Sequence, residues 1–179
     1  MAIIRTKNLR SEFSSTIKEN INSPEKLLQF AKNNNIILVP LDIEKLTNLL
    51  EISIKFDSLK NNLSGILFKN NNKWTIIVNK NYHKNRKKYV IAYGLGHYFL
   101  HKYLYHNFED EITFRGGYLC TEEEQCHKFA RTILLPEKEF KNKIKSGTKK
   151  VKDLAKFFNV STITINMRAK DLGLIYKGK

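Results

Sequence analysis

The chain is predicted to be α+β, with helices around a small mixed or antiparallel sheet and a short C-terminal unit of helix-turn-helix spacing. Three observations predict this. Between residues 52 and 79 stand three short runs rich in Ile, Val, Leu, Phe and Trp, two of them flanking an asparagine-rich turn at 70–73. On both sides of that block, apolar residues recur at helical spacing behind capping signals. The tail carries D-L-A-x-x-F-x-V-S, two helical patterns broken by a polar turn.

Taken in order, residues 1–22 are polar and mixed, with a helix expected around 11–21. Ser23 followed by Pro24 reads as an N-cap with proline at the first helical position, opening a helix that carries Leu27, Leu28, Phe30 and Ala31. Residues 36–39 are β-rich and end at Pro40. Asp42 caps a second helix, with Ile43, Leu46, Leu49 and Leu50 at helical spacing. Strands are expected at 52–56, 64–69 and 74–79, the last two joined through asparagines that tolerate left-handed backbone. A long helix then contains His97 and His101, and an irregular stretch over 106–119 follows. Thr121 with Glu124 forms a capping box for a helix running to Leu135, and Pro136 opens another short one. Residues 146–150 are the best linker. Leu154, Ala155 and Phe158 then lie on one helix, Asn159 and Val160 turn, and Ser161 caps a final helix ended by Gly173. This divides the chain into an extension at 1–23, a main domain at 24–145 and a C-terminal unit at 146–179.

At 179 residues the chain can bury one real core. Its 41% hydrophobic and 27% charged residues are those of a globular protein. The apolar runs are far too short to cross a bilayer, and residues 1–7 lack a sustained apolar stretch of the secretory kind. Cys120 and Cys126 make no disulfide framework and read as reduced thiols, so a cytoplasmic protein is expected. The net charge of +15 is compatible with nucleic acid or an acidic protein surface as partner, but its lysines are spread over every segment.

Residues 86–101 look like a zinc-peptidase helix with half its chemistry removed. Such a helix needs H-E-x-x-H: two histidines one turn apart for the metal and a glutamate as general base. Here Tyr93 takes the first histidine slot, Gly94 the glutamate slot, and only His97 remains. Positions 93, 94, 97 and 101 share one side of the helix, expected to face a second helix bearing Glu123, Glu124 and His127. If metal is bound, His97 and Glu123 are the expected ligands, with His101 a weaker candidate at i, i+4. Cys120, Cys126 and His127 are metal-capable side chains nearby. Each has a plainer role: His97 and His101 as interior histidines, Tyr93 as a packed aromatic, Glu123 as a first-turn acid favoured by the helix dipole. Gly94 leaves the general-base slot empty, and the sequence offers no obvious substitute for it.

Several motifs in order resemble the ImmA/IrrE family of metallopeptidases: P-E-K-L-L-x-F-A at 24–31, residues 36–42, L-S-G-I-L at 63–67, W-T-I-I-V-N at 74–79, residues 86–101, 123–130 and 134–136, and the tail with F-x-V-S and R-x-x-x-L-G-L-I. The resemblance implies a zincin-like fold. It implies an intracellular role of the kind played by members that cut or inactivate helix-turn-helix repressors, often in phages, mobile elements and stress responses. The family's motif falls on Tyr93, Gly94 and His97, its downstream glutamate on Glu123, and E-A-N-x-F-A reads Q-C-H-K-F-A at 125–130. Two of the four site positions therefore depart from the pattern.

The expected function is a catalytically impaired relative of these enzymes that binds a regulatory protein, such as a helix-turn-helix repressor. The strand at 74–79, with Trp74, Ile76 and Val78, is expected to be an edge that keeps the inherited peptide groove. The expected catalytic set is empty and no cofactor is required, zinc being the alternative. Two further readings stand beside this one. One is an active zinc metallopeptidase with rearranged ligands, the other a DNA-binding regulator using the basic tail.

Overall fold

The structure, a computed structural model, describes residues 21–60, 63–103, 112–113 (backbone only) and 121–174. The helix expected around 11–21 lies outside the described residues, apart from buried Ile21. Helix α1 is Pro24–Asn33, and the Ser23 side chain accepts from the Lys26 N–H at 3.3 Å. Helix α2 is Ile43–Leu49, capped by Asp42, which accepts from the Lys45 N–H at 3.1 Å. The expected strand at 36–39 is not one. Pro40 has no N–H to give a ladder, and the chain turns there, leaving a single bridge between Leu38 and Leu41.

Strands β1 (Ser53–Asp57), β2 (Gly65–Asn70), β3 (Lys73–Asn79) and β4 (Ile112–Thr113) form one mixed sheet in the order β1-β3-β2-β4. The β2–β3 hairpin turns through Asn71 and Asn72, both at positive φ (45° and 61°), the backbone that a two-residue turn requires and asparagine tolerates. β1 joins the far side of β3 in parallel, with Ile54 opposite Ile76.

Helix α3 (Lys84–His101) crosses this sheet and is covered on its other side by α4 (Thr121–Leu134). Every residue from Val90 to Phe99 is buried, so α3 is the central beam of the molecule and not an amphipathic surface helix. Thr121 is already helical in α4, and Glu124 accepts from Arg131 at 2.8 Å. Helices α5 (Glu137–Lys145), α6 (Val151–Phe158) and α7 (Thr162–Asp171) complete the chain. Asn159 turns α6 into α7 at φ 54°, and Ser161 accepts from the Thr164 N–H at 3.1 Å. Leu154, Phe158, Val160 and Ile165 belong to the same hydrophobic cluster as Ile76, Leu95 and Phe129. One core therefore runs through residues on both sides of the 145/146 boundary.

Candidate functional site

The α3 residues of interest sit where the helix is clamped from two sides. Gly94 and Gly96 are two positions apart, about 200° around the helix axis. They therefore face opposite neighbours. A Cβ at Gly94 would lie 3.1 Å from Ile76 Cδ1, 3.3 Å from its Cγ1 and 3.4 Å from its Cγ2. A Cβ at Gly96 would lie 3.0 Å from the Cα of Cys126. One glycine lets α3 approach the sheet and the other lets it approach α4. Each costs about 1 kcal/mol relative to alanine inside a helix. That cost is offset by the packing the close approaches permit. Two glycines inside a long helix were the sequence signal for this clamp, and Gly96 was missed.

The aromatic residues fill the space between α3 and α4. Tyr93 is 4% exposed, its ring centroid 4.8 Å from that of His97 and 4.5 Å from that of His127. His97 and His101, both buried, lie one turn apart with centroids at 5.7 Å. His127 Nδ1 shares a 2.9 Å hydrogen bond with the hydroxyl of Tyr89, a site residue that sequence reasoning passed over. Burial holds His97 down to about 3, with His101 and His127 adding to the effect, so it is a neutral imidazole at neutral pH. Burial also lowers His127, reinforced by Arg131 and opposed by Glu124 and Glu123. Tyr89 is pushed up to about 12, mainly by burial, and stays protonated.

Among the described residues, these side chains do not make the ligand set of an H-E-x-x-H zinc centre. Position 93 offers a phenol packed between two imidazoles. Position 94 offers no side chain, and Ile76 occupies the space beside it. His127 Nδ1 is engaged by Tyr89. Glu123 stands in the first turn of α4, half-buried. Among the described residues no three or more His, Cys, Asp or Glu stand together in a way that could hold an ion. Cys120 lies outside the described residues, while Cys126 is buried against α3.

The strand at 74–79, expected at an edge, is an interior strand. β3 is bonded on both sides, to β1 and to β2, so it has no free edge for an added peptide. Ile76 and Val78 are fully buried, and half-buried Trp74 meets the Tyr98 ring edge-on at 5.4 Å. Trp74, Ile76 and Val78 thus form core and rim, not a groove floor. A shallow depression of about 260 Å³ lies elsewhere, between Pro24, Leu100, Gln125 and Phe129.

A protein-family model described as the IrrE N-terminal-like domain matches residues 49–170. A search of curated proteins finds no match. Among solved structures, the fold is similar to that of a Mycobacterium tuberculosis transcriptional regulator, with a TM-score of 0.60 at 17% identity. That similarity covers 91% of this chain and 51% of the regulator, so the chain spans about half of that protein's length. Among the described residues, no helix is long and apolar enough to cross a membrane.

Proposed function

The chain belongs to the IrrE N-terminal-like family, and from that premise we propose that it is a member without peptidase activity that binds a regulatory protein, such as a helix-turn-helix repressor, in the cytoplasm. The observation that carries this reading is the Gly94–Ile76 contact. In the slot where hydrolysis needs a carboxylate to take a proton from water, the helix has no side chain, and a sheet residue lies against its backbone. The packing of the Tyr93 ring edge-on against His97 and tilted against His127 supports the same reading, because these groups pack against one another as core aromatics do. A regulatory setting is supported by the resemblance to proteins that act on repressors and by the similarity of the fold to that of a transcriptional regulator. The association with phages or mobile elements rests on the resemblance alone.

The test is elemental analysis of the purified protein together with a cleavage assay on a purified helix-turn-helix repressor. The expected result is zinc well below one ion per chain and an intact repressor that co-elutes with the protein. One zinc per chain, with cleavage lost both on chelation and in His97→Ala, would overturn the proposal in favour of a metallopeptidase with rearranged ligands.

A further inference from the structure

The α6–α7 pair has one face in the core and one in solvent. Inward, Leu154, Phe158 and Ile165 are buried, and Arg168 donates to the Leu135 carbonyl and to Thr132 Oγ1, both at 3.0 Å. Outward, α7 shows Thr162, Ile163, Asn166, Met167 and Lys170 along one face, with Ile163 73% exposed. Beside it, α6 and its approach expose Lys149, Lys150, Lys152 and Lys156. Over residues 149–171 five lysines are exposed, counting Lys170, against two carboxylates, Asp153 and the Asp171 that is paired with Arg131. Over the whole chain the lysines are dispersed. This group is clustered on one pair of helices, the condition under which a basic footprint becomes informative.

The distribution of exposed groups, lysines on and before α6 and polar and apolar side chains on the first turns of α7, is the one a DNA-reading helix pair needs, where the first helix crosses the phosphate backbone and the second presents its first turns to base edges. α6 supplies ammonium groups, which act as point charges for phosphate. The exposed first turns of α7 supply an amide at Asn166, a hydroxyl at Thr162 and an apolar side chain at Ile163. Those groups suit adenine edges and a thymine methyl. An acidic protein surface would also meet the lysines, but it gives no role to the polar set on α7 between them.

We infer that the outward face of α6–α7 binds duplex DNA, with Lys150, Lys152 and Lys156 on phosphates and the first half of α7 in the major groove. This contact goes beyond the partner reading and does not depend on it. The test is fluorescence anisotropy of the full chain with a labelled mixed-sequence duplex a few helical turns long, across a salt series. Log affinity should fall linearly with log salt. Reversing the three lysines together (Lys150→Glu, Lys152→Glu, Lys156→Glu) should weaken binding by more than about tenfold and flatten the salt slope by about 3. The same change in charge at exposed Lys32, Lys45 and Lys55 should leave affinity within about twofold at matched salt. Thr162→Ala with Asn166→Ala should lower affinity for a selected sequence more than for bulk duplex. All five mutated positions on the pair are exposed, so the variants should melt like the parent. Equal losses from both lysine triples, or tighter binding of polyglutamate than of duplex at the same salt, would overturn the inference.

Discussion

At Gly94 and Gly96 the same substitution should have different consequences. The atoms facing Gly94 belong to one side chain, Ile76, which can shift by a few tenths of an ångström, whereas Gly96 faces the Cα and carbonyl oxygen of Cys126. Gly96→Ala is therefore expected to destabilise by about 1–3 kcal/mol, and Gly94→Ala by less, since the gain in helix propensity offsets part of the crowding. Urea unfolding of the two variants checks the order, and a costlier Gly94→Ala would contradict the packing described. Lys88 gives a pH prediction. It is buried, donates to the Phe158 carbonyl at 3.4 Å, and burial pulls it from 10.5 to about 8 against the pull of Asp42. Between those two values the unfolded chain binds more protons than the folded one, so stability rises with pH through that window. Below it the contribution is a constant penalty of at most about 3 kcal/mol. Lys88→Met should lack this rise, which denaturation of both proteins near about pH 8 and about pH 10 would show. Above about 10 the raised Tyr89 acts in the opposite sense, because the unfolded phenol then loses its proton first.

The elements are joined by a small number of buried cations. Arg131 on α4 donates to both carboxylate oxygens of Asp171 on α7, at 2.6 and 3.2 Å, and to Glu124 at 2.8 Å. The Arg131 side chain is 4% exposed and that of Asp171 15%, whereas that of Glu124 is 49% exposed. The two arms should therefore differ in strength. Breaking the Asp171 arm leaves a buried guanidinium short of its partner and is expected to cost about 3–5 kcal/mol, while Glu124→Gln should cost under about 1 kcal/mol. Hydrogen exchange along α7 distinguishes the two: Asp171→Asn should accelerate it and Glu124→Gln should not. At this scale the sequence was readable wherever a local rule decides the outcome. Ser23, Asp42 and Ser161 cap as their side chains require, and the Asn71–Asn72 turn follows from their tolerance of positive φ. The position of β3 was not readable. Alternation shows which face of a strand is buried and carries no information on which neighbour lies beside it, so nothing in residues 74–79 could reveal that β1 returns to the open side of the hairpin.

Across the whole molecule, α3 touches the sheet and α4, and its first turns reach the tail as well: Asn85 donates to the Val160 carbonyl at 3.0 Å, as Lys88 does to Phe158. Because Phe140, Phe158 and Ile165 share one cluster with the residues around Tyr93, deleting residues 146–179 is expected to abolish the cooperative melt and not to release a stable shorter domain. Calorimetry on the full and shortened chains checks this. The candidate site was legible as residue types at fixed spacing, and Tyr93, Gly94 and His97 do lie together on α3. What spacing could not convey is the contents of the space around them, since Ile76 arrives from a strand and Tyr89 on α3 bonds His127 on α4. The placement of Ile76 also constrains how the chain can change. A glutamate at 94 would press on Ile76, so room for a longer side chain on this turn of the helix has to come from the strand.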